Sequence, residues 1–181
     1  MTTGAIPEAS RPYMPGYGIL DADAGRGLLP WSWATERMAR SHNYWVATTR
    51  PDGQPHVMPV WGVWLGEAEP GGAFYFSTGR STRKARNLAS NPRCVVCAER
   101  ADEAIILEGI VEQVDDPSLY ERIADAYEAK YDWRLEQPTS PAYAVRPRVA
   151  FVFIENADDF AGSATRWSFS DRQAVVDSDV S

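Results

Sequence analysis

Residues 74–93 read FYFSTGRSTRKARNLASNPR: a short apolar run, a Ser/Thr/Gly turn, and a helix start crowded with cations. Arg80, Arg83, Lys84, Arg86 and Arg93 fall here, and no acidic residue lies between Ser77 and Ala98. The whole chain carries 18 Lys and Arg against 25 Asp and Glu, for a net charge of −7; without these five cations, 13 stand against 25, a balance of −12. A local cationic excess in an acidic chain calls for a partner. Ser77, Thr78 and Thr82 offer hydroxyls, Gly79 permits an unusual backbone, and Arg83 with Lys84 occupies the first helical turn. Free N–H groups and the helix dipole already favour an anion there, so cations at that end oppose the dipole unless an anion joins them. Arg supplies bidentate phosphate geometry and Lys a point charge, which makes a phosphate site one reading of the stretch. A solvated basic helix face is the other.

Working upstream, Tyr44 to Thr49 is rich in aromatic and β-branched residues, and Arg50-Pro51-Asp52-Gly53-Gln54 supplies the fixed φ and positive φ of a hairpin turn. The chain then returns antiparallel from His56 to Leu65. Pro59 inside that run cannot donate to a ladder, which marks an edge or bulge facing something other than a strand, a ligand being one candidate. Trp61 and Trp64 are three apart, so a strict strand aims them at opposite faces. Trp31 to Ser41 places Trp31, Ala34 and Met38 at helical spacing. Residues 1–28, rich in Gly, Pro and Ala without apolar period, read as an irregular arm lying across the domain or a partner subunit.

Downstream, Thr82 to Ser90 reads as a helix, and Arg93 to Glu99 and Ile105 to Val114 as strands with a bend at Gly109. Asp116-Pro117 is an N-cap and N1 pair opening a helix to about Tyr131, with Leu119, Ile123, Ala126, Tyr127 and Lys130 along it. After a loop holding Pro138, Pro141 and Pro147, Val149 to Ile154 and Thr165 to Ser170 read as strands. Residues 171–181 read as a flexible tail. Six or seven short strands, a hairpin meander and three modest helices give a mainly β class, a small closed or nearly closed barrel spanning 29–170.

At 181 residues and 44% hydrophobic, the chain suits one domain rather than two. A pI near 4.9 argues against general nucleic-acid or membrane-surface binding, which needs a broadly basic face. The longest apolar runs, such as Ala150 to Ile154, are far short of the ~20 residues of a membrane span, and Met1 to Ser10 lacks a basic start and apolar core, so a cytoplasmic location is expected. Cys94 and Cys97 alternate as on a strand and point to opposite faces, which reads as two small buried residues in a reducing compartment. With His42 and His56 the only histidines, no zinc site is expected.

Taken together, Arg-Pro-Asp-Gly-Gln-Pro-His, Pro-Val-Trp, Phe-Tyr-Phe-Ser-Thr, Thr82-Arg83-Lys84, Asn87-Leu88 and Asn91-Pro92 resemble the split β-barrel, FMN-binding-like proteins. That group includes pyridoxamine 5′-phosphate oxidase and, closer to this sequence, the flavin/deazaflavin-dependent oxidoreductases of actinobacteria. The likeness spans roughly Trp31 to Phe169. It implies a homodimer with two cofactor sites at the subunit interface and a phosphate held by Ser77, Thr78, Arg80, Thr82, Arg83 and Lys84, with Asn87 nearby. The isoalloxazine-like ring would lie along the backbone of His56, Val57, Met58, Pro59, Val60 and Trp61, and Trp167 would reach the pocket. Pyridoxamine phosphate oxidases carry a C-terminal Trp followed by an Arg-x-His-x-Arg segment, and no histidine follows His56 here, so vitamin B6 oxidation is not expected. Pro-His-x-x-Pro-Val-Trp-Gly and Asn87-Leu88 look more like the deazaflavin branch, which favours coenzyme F420 over FMN.

In such a protein the cofactor supplies the hydride and the chain supplies position and a dry aromatic pocket, so no protein nucleophile is needed. Tyr44, Tyr75 and His56 are candidate proton sources. The expected activity is reduction of a small conjugated or aromatic acceptor. A binding or storage module for the cofactor or a haem-like ligand, and a plain basic-patched interaction protein, are the other classes.

Overall fold

In the computed structural model of the chain, residues 7–66 and 71–170 are described. Among these residues, nine strands and four helices run in the order β1 (Glu8–Ser10), α1 (Trp31–Arg40), β2 (Tyr44–Thr49), β3 (Pro55–Val60), β4 (Gly62–Leu65), β5 (Ala73–Ser77), α2 (Arg83–Ser90), β6 (Arg93–Ala98), β7 (Glu103–Gln113), α3 (Pro117–Tyr131), β8 (Ala142–Ile154), α4 (Phe160–Ser163) and β9 (Thr165–Ser168). All pairings are antiparallel, and the fold is mainly β as the sequence predicts.

The ring of strands closes through one bent segment. β3 pairs with β2 from Tyr44↔Val60 to Thr49↔Pro55, while β4, one residue further on, pairs with β5 from Gly62↔Phe76 to Leu65↔Ala73. β2 continues to β6, β6 to β7, β7 to β8, and β8 back to β5. Residues 55–65 therefore serve two different neighbours, and Trp61 is the corner between them. The sequence predicts a single strand over 56–65, because alternation continues through the corner and only the change of partner reveals it.

β8 is longer than predicted. Its expected start at Val149 gives way to Ala142, because the strand runs through Pro147. The missing N–H of Pro147 falls opposite Gly109, where the β7–β8 register shifts, and between the segment that pairs with β5 (142–145) and the one that pairs with β9 (149–152). A proline is tolerated where no ladder bond is demanded. The bend at Gly109 is steric: a Cβ there would lie 2.5 Å from the Arg146 carbonyl oxygen.

Two cores follow from alternation on β5. Phe74 and Phe76 point into the barrel with Tyr44, Val46, Val96, Leu107, Val145 and Trp167, closed at one end by Ala34 and Met38 of α1. Ala73 and Tyr75 point outward to Ile123, Ala124 and Tyr127 of α3. This strand is buried on both sides, which is why its sequence is uninterruptedly apolar.

The arm expected to be irregular contributes β1, which pairs with β9. Arg11 staples it: its guanidinium donates to the carbonyls of Ala164 (2.8 Å), Asp21 (3.0 Å), Ala24 (3.0 Å) and Gly162 (3.2 Å). The proposed tail, 171–181, lies outside the described residues. No helix among the described residues is long and apolar enough to cross a membrane.

Candidate functional site

The cationic stretch folds as its residues dictate. Thr82 is the N-cap of α2, its hydroxyl accepting the Ala85 N–H at 3.2 Å, and the Thr78 hydroxyl lies 3.0 Å from that of Thr82. The Thr82 N–H closes the preceding turn on the Gly79 carbonyl at 3.0 Å. Ser77 is held from both sides: its N–H donates to the Tyr127 hydroxyl at 3.0 Å and its own hydroxyl to the Pro141 carbonyl at 2.9 Å. The turn that leads into α2 is therefore built on the barrel rather than hanging from it.

Arg83 and Lys84 are the first two residues of α2, and no acidic side chain occupies that turn. Among the described residues neither forms an ion pair. Arg83 is exposed; Lys84 is half-buried, and desolvation lowers its ammonium below the ordinary lysine range. Arg80 instead donates to the Gln113 side chain at 3.1 Å. Arg86 and Arg93 are exposed. Three like charges lie close to a positive helix end where the Arg83 and Lys84 N–H groups have no helical partner, which makes this turn a candidate anion site by composition and by geometry.

α2 is tied to β3 across β2. Asn87, 2% exposed, donates from Nδ2 to the Thr48 hydroxyl at 2.9 Å, and Thr48 in turn reaches the His56 carbonyl at 3.3 Å, with His56 Nδ1 within 3.5 Å. Asn87 therefore spends its amide on the scaffold. Among the described residues β3 is one of the free edges of the sheet. On it Val57 and Met58 are 54% and 44% exposed, Pro59 is exposed, and Val60 is turned into the barrel core. Of the predicted residues, His56, Val57, Met58 and Pro59 thus lie on β3, Ser77 ends β5, Thr78, Arg80 and Thr82 form the turn that follows, and Arg83, Lys84 and Asn87 lie on α2, which Thr48 ties to β3 through Asn87 and His56.

Trp61 directly follows β3, whereas Trp167 sits apart from that group. Trp61, at the barrel corner, is 43% exposed and stacks on Tyr131 with ring centres 4.7 Å apart and planes 5° from parallel. Trp167, 1% exposed, packs edge-on to Trp31 at 5.1 Å. It lines a cavity of about 920 Å³ with Pro7, Leu29, Trp31 and Trp64, and no residue of α2 or β3 borders that space.

Of the three candidate proton sources, Tyr44 and Tyr75 are wholly buried, whereas His56 on β3 is partly exposed. Burial drives the Tyr44 hydroxyl far above its ordinary value, and it donates to the Met38 and Ser41 carbonyls. The described residues hold no group of His, Cys, Asp or Glu suited to a metal ion.

Sequence reasoning missed the role of α3. Tyr127 and Tyr131 bind main-chain groups at the corner, and Lys130 Nζ donates to the Gly62 carbonyl (3.0 Å) and the Tyr44 hydroxyl (2.8 Å). Their spacing of three and four along a buried helix face was the available signal, since two phenols and an amine placed there need polar partners.

The family model described as Pyridoxamine 5′-phosphate oxidase matches residues 34–156. A pyridoxine/pyridoxamine 5′-phosphate oxidase of Alkalilimnicola ehrlichii is 40% identical over 84 residues, which is 45% of this chain and 38% of that protein, so well under half of that relative's length is spanned. Among solved structures, a conserved hypothetical protein of Mycobacterium tuberculosis superposes with a TM-score of 0.61 at 19% identity, covering 76% of this chain and 92% of that one. The heme storage protein HutZ of Vibrio cholerae superposes with a TM-score of 0.55 at 16% identity, covering 67% and 92%. These two share the fold. With the family match extending from α1 through β8 and the barrel closing as those structures do, the chain belongs to the pyridoxamine 5′-phosphate oxidase family of split β-barrels.

Proposed function

We propose that the chain is an oxidoreductase that holds a phosphate-bearing deazaflavin or flavin, coenzyme F420 in preference to FMN, and reduces a small conjugated or aromatic acceptor. The observation that supports it most is the α2 N-terminus: Thr78 and Thr82 beside Arg83 and Lys84, with no carboxylate in the first turn to neutralise them. The residues fit a phosphate by charge, by donor type and by the exposed first turn of a helix. β3 fits the ring, because a free sheet edge offers main-chain donors and acceptors to a planar heterocycle, with Met58 and Trp61 as apolar surface. When bound, such a cofactor supplies hydride transfer. The chain's own part is to neutralise the phosphate with Arg83 and Lys84, to align the ring on β3, and to offer His56 of that strand as a proton source. The preference for F420 rests on Pro-His-x-x-Pro-Val-Trp-Gly and Asn87-Leu88.

The reading includes a homodimer. Outward-facing Val57↔Ala47↔Val95 and Pro59↔Trp45↔Cys97 align across β3, β2 and β6, with Trp45 46% exposed, and form a flat apolar stripe next to the proposed ring site. A second copy covering that stripe would also enclose the ring. Light scattering should return twice the mass of one chain.

The test is titration of the purified protein with F420 and with FMN, followed by ligand fluorescence. F420 should bind at micromolar concentration or tighter, with Lys84→Ala weakening it about tenfold. Binding of neither ligand, or unchanged affinity in Lys84→Ala, rejects the assignment. Because a storage protein shares this fold, turnover is measured separately: binding without oxidation across a panel of conjugated acceptors would favour a storage role.

A further inference from the structure

The corner at Trp61 creates a main-chain problem. A strand that changes neighbours leaves peptide groups at the bend with no ladder partner, and buried ones must find another. Here α3 supplies partners for the Trp61 carbonyl and for both peptide groups of Gly62. Tyr127 donates its hydroxyl to the Trp61 carbonyl at 2.7 Å while accepting the Ser77 N–H, so one phenol bridges the corner to the turn that precedes α2. The Gly62 N–H donates to the Tyr131 hydroxyl at 2.9 Å, and that hydroxyl lies 2.7 Å from the Gly62 and His42 carbonyl oxygens. Lys130 adds its bond to the same Gly62 carbonyl.

The corner cannot relax inward either, since a Cβ at residue 62 would run into the buried Phe74 ring and lie 2.8 Å from the Tyr75 carbonyl oxygen. Tyr131 then covers one face of the Trp61 indole, and the His42 ring meets Trp61 edge-on at 6.4 Å. The rest of this indole is open, immediately after the exposed edge residues Val57 to Pro59.

Resting on the cofactor reading above, we propose that Tyr127, Lys130 and Tyr131 are positioning residues: they lock the split in the barrel and hold the Trp61 indole at a fixed angle as one wall of the ring pocket, which selects for a flat tricyclic ligand. The chemistry is specific. Two hydroxyls and an amine fix the main chain of residues 61 and 62, and one phenol ring fixes the indole. Trp61 presents its ring without the entropy that an exposed tryptophan would lose on binding.

The test uses full-length protein labelled with 5-fluorotryptophan. Trp61→Phe identifies the Trp61 fluorine resonance by its absence. Tyr131→Leu should shift and broaden that resonance while leaving the other six in place, and should raise the Kd for F420 and FMN about three- to tenfold, the value of one aromatic stack. Tyr131→Phe, which keeps the ring, should preserve most of the affinity. A variant that merely destabilised the fold would lower the melting temperature without moving the Trp61 signal selectively. An unmoved Trp61 resonance and unchanged Kd in folded Tyr131→Leu would overturn the proposal. If Tyr131→Leu does not fold, Tyr127→Phe and Lys130→Met decide it: a Trp61 resonance identical to wild type in both overturns the clamp. Failure of the wild type to bind either cofactor removes the ring-pocket role, whereas the fluorine spectra still decide whether α3 fixes Trp61.

Discussion

Replacing Lys130 by Met separates the cost of burying a cation from the benefit of its contacts. Burial lowers the Lys130 ammonium from 10.5 to about 8, opposed in part by the carboxylate of Glu99. Hydrogen bonds to Tyr44 and Gly62 and the flanking Tyr44 and Tyr131 rings, 4.9 and 5.3 Å from Nζ, also favour the charged form. An amine whose folded pKa is depressed binds fewer protons folded than unfolded between the two values, so stability rises with pH across that window. The penalty is fully present below pH 8 and gone above 10.5. The gap corresponds to a ceiling of about 3 kcal/mol. Because Lys130 keeps some exposure to solvent, screening reduces it to about 1–2 kcal/mol. Buried Cys94, raised to about 12 by desolvation, acts in the opposite sense above pH 9, as does Cys97. Both are present in either protein and cancel in the difference. Urea unfolding of wild type and Lys130→Met at intervals from pH 7 to 10.5 should show the wild type gaining about 1–2 kcal/mol relative to the variant. A flat difference, or one that falls with pH, refutes the claim that desolvation dominates at this site.

Thr82→Ala removes the acceptor for the Ala85 N–H and the partner of Thr78; it should cost about 1 kcal/mol in urea unfolding, read from the midpoint at constant slope. Gly62→Ala forces a methyl group against the fully buried Phe74. It should destabilise by about 1–3 kcal/mol and lower the melting temperature by several degrees in calorimetry, whereas an unchanged melting temperature would mean that the corner is softer than described.

How much of this could be read from the sequence depended on how far apart the interacting residues lie. β2 and α3 fall at their predicted bounds, because the aromatic and β-branched run of β2 and the Asp116-Pro117 start of α3 are local signals. β1 and α4 escaped notice, being three and four residues long, too short to show a period. Trp64 turned inward and Trp61 outward as strict alternation required, yet the break between them was invisible, since it consists of a change of neighbour from β2 to β5. The α2 N-terminus was legible because hydroxyls, glycine and cations are contiguous. The α3 clamp was not, because Tyr127, Lys130 and Tyr131 meet main-chain groups 66 to 69 residues away. Asn87 illustrates the same limit: its partner Thr48 is 39 residues upstream, so only the structure shows that the amide serves the scaffold.

The two longest-range features of the site are connected through one comparison between helices. α3 opens with Asp116, whose carboxylate accepts the N–H groups of Ser118 and Leu119, and closes with Lys130 in its last turn, an order in which both ends favour the dipole. α2 does the reverse, with Arg83 and Lys84 in its first turn and no basic residue in its last. Each misplaced cation costs about 0.3–1 kcal/mol at an exposed terminus, and partial burial of Lys84 adds to it. The same chain thus builds one helix in the self-stabilising order and one that remains electrostatically incomplete. The incomplete one is capped by Thr82 and fixed to the barrel through Ser77 and Asn87, so it cannot relieve the strain by fraying without giving up these hydrogen bonds. An anion at that end removes the opposition and adds its own bonds to Arg83 and Lys84. Its binding energy is also folding energy, since only the folded state presents the site. On the proposed reading, the stability of the α2 terminus therefore depends on the anion it binds.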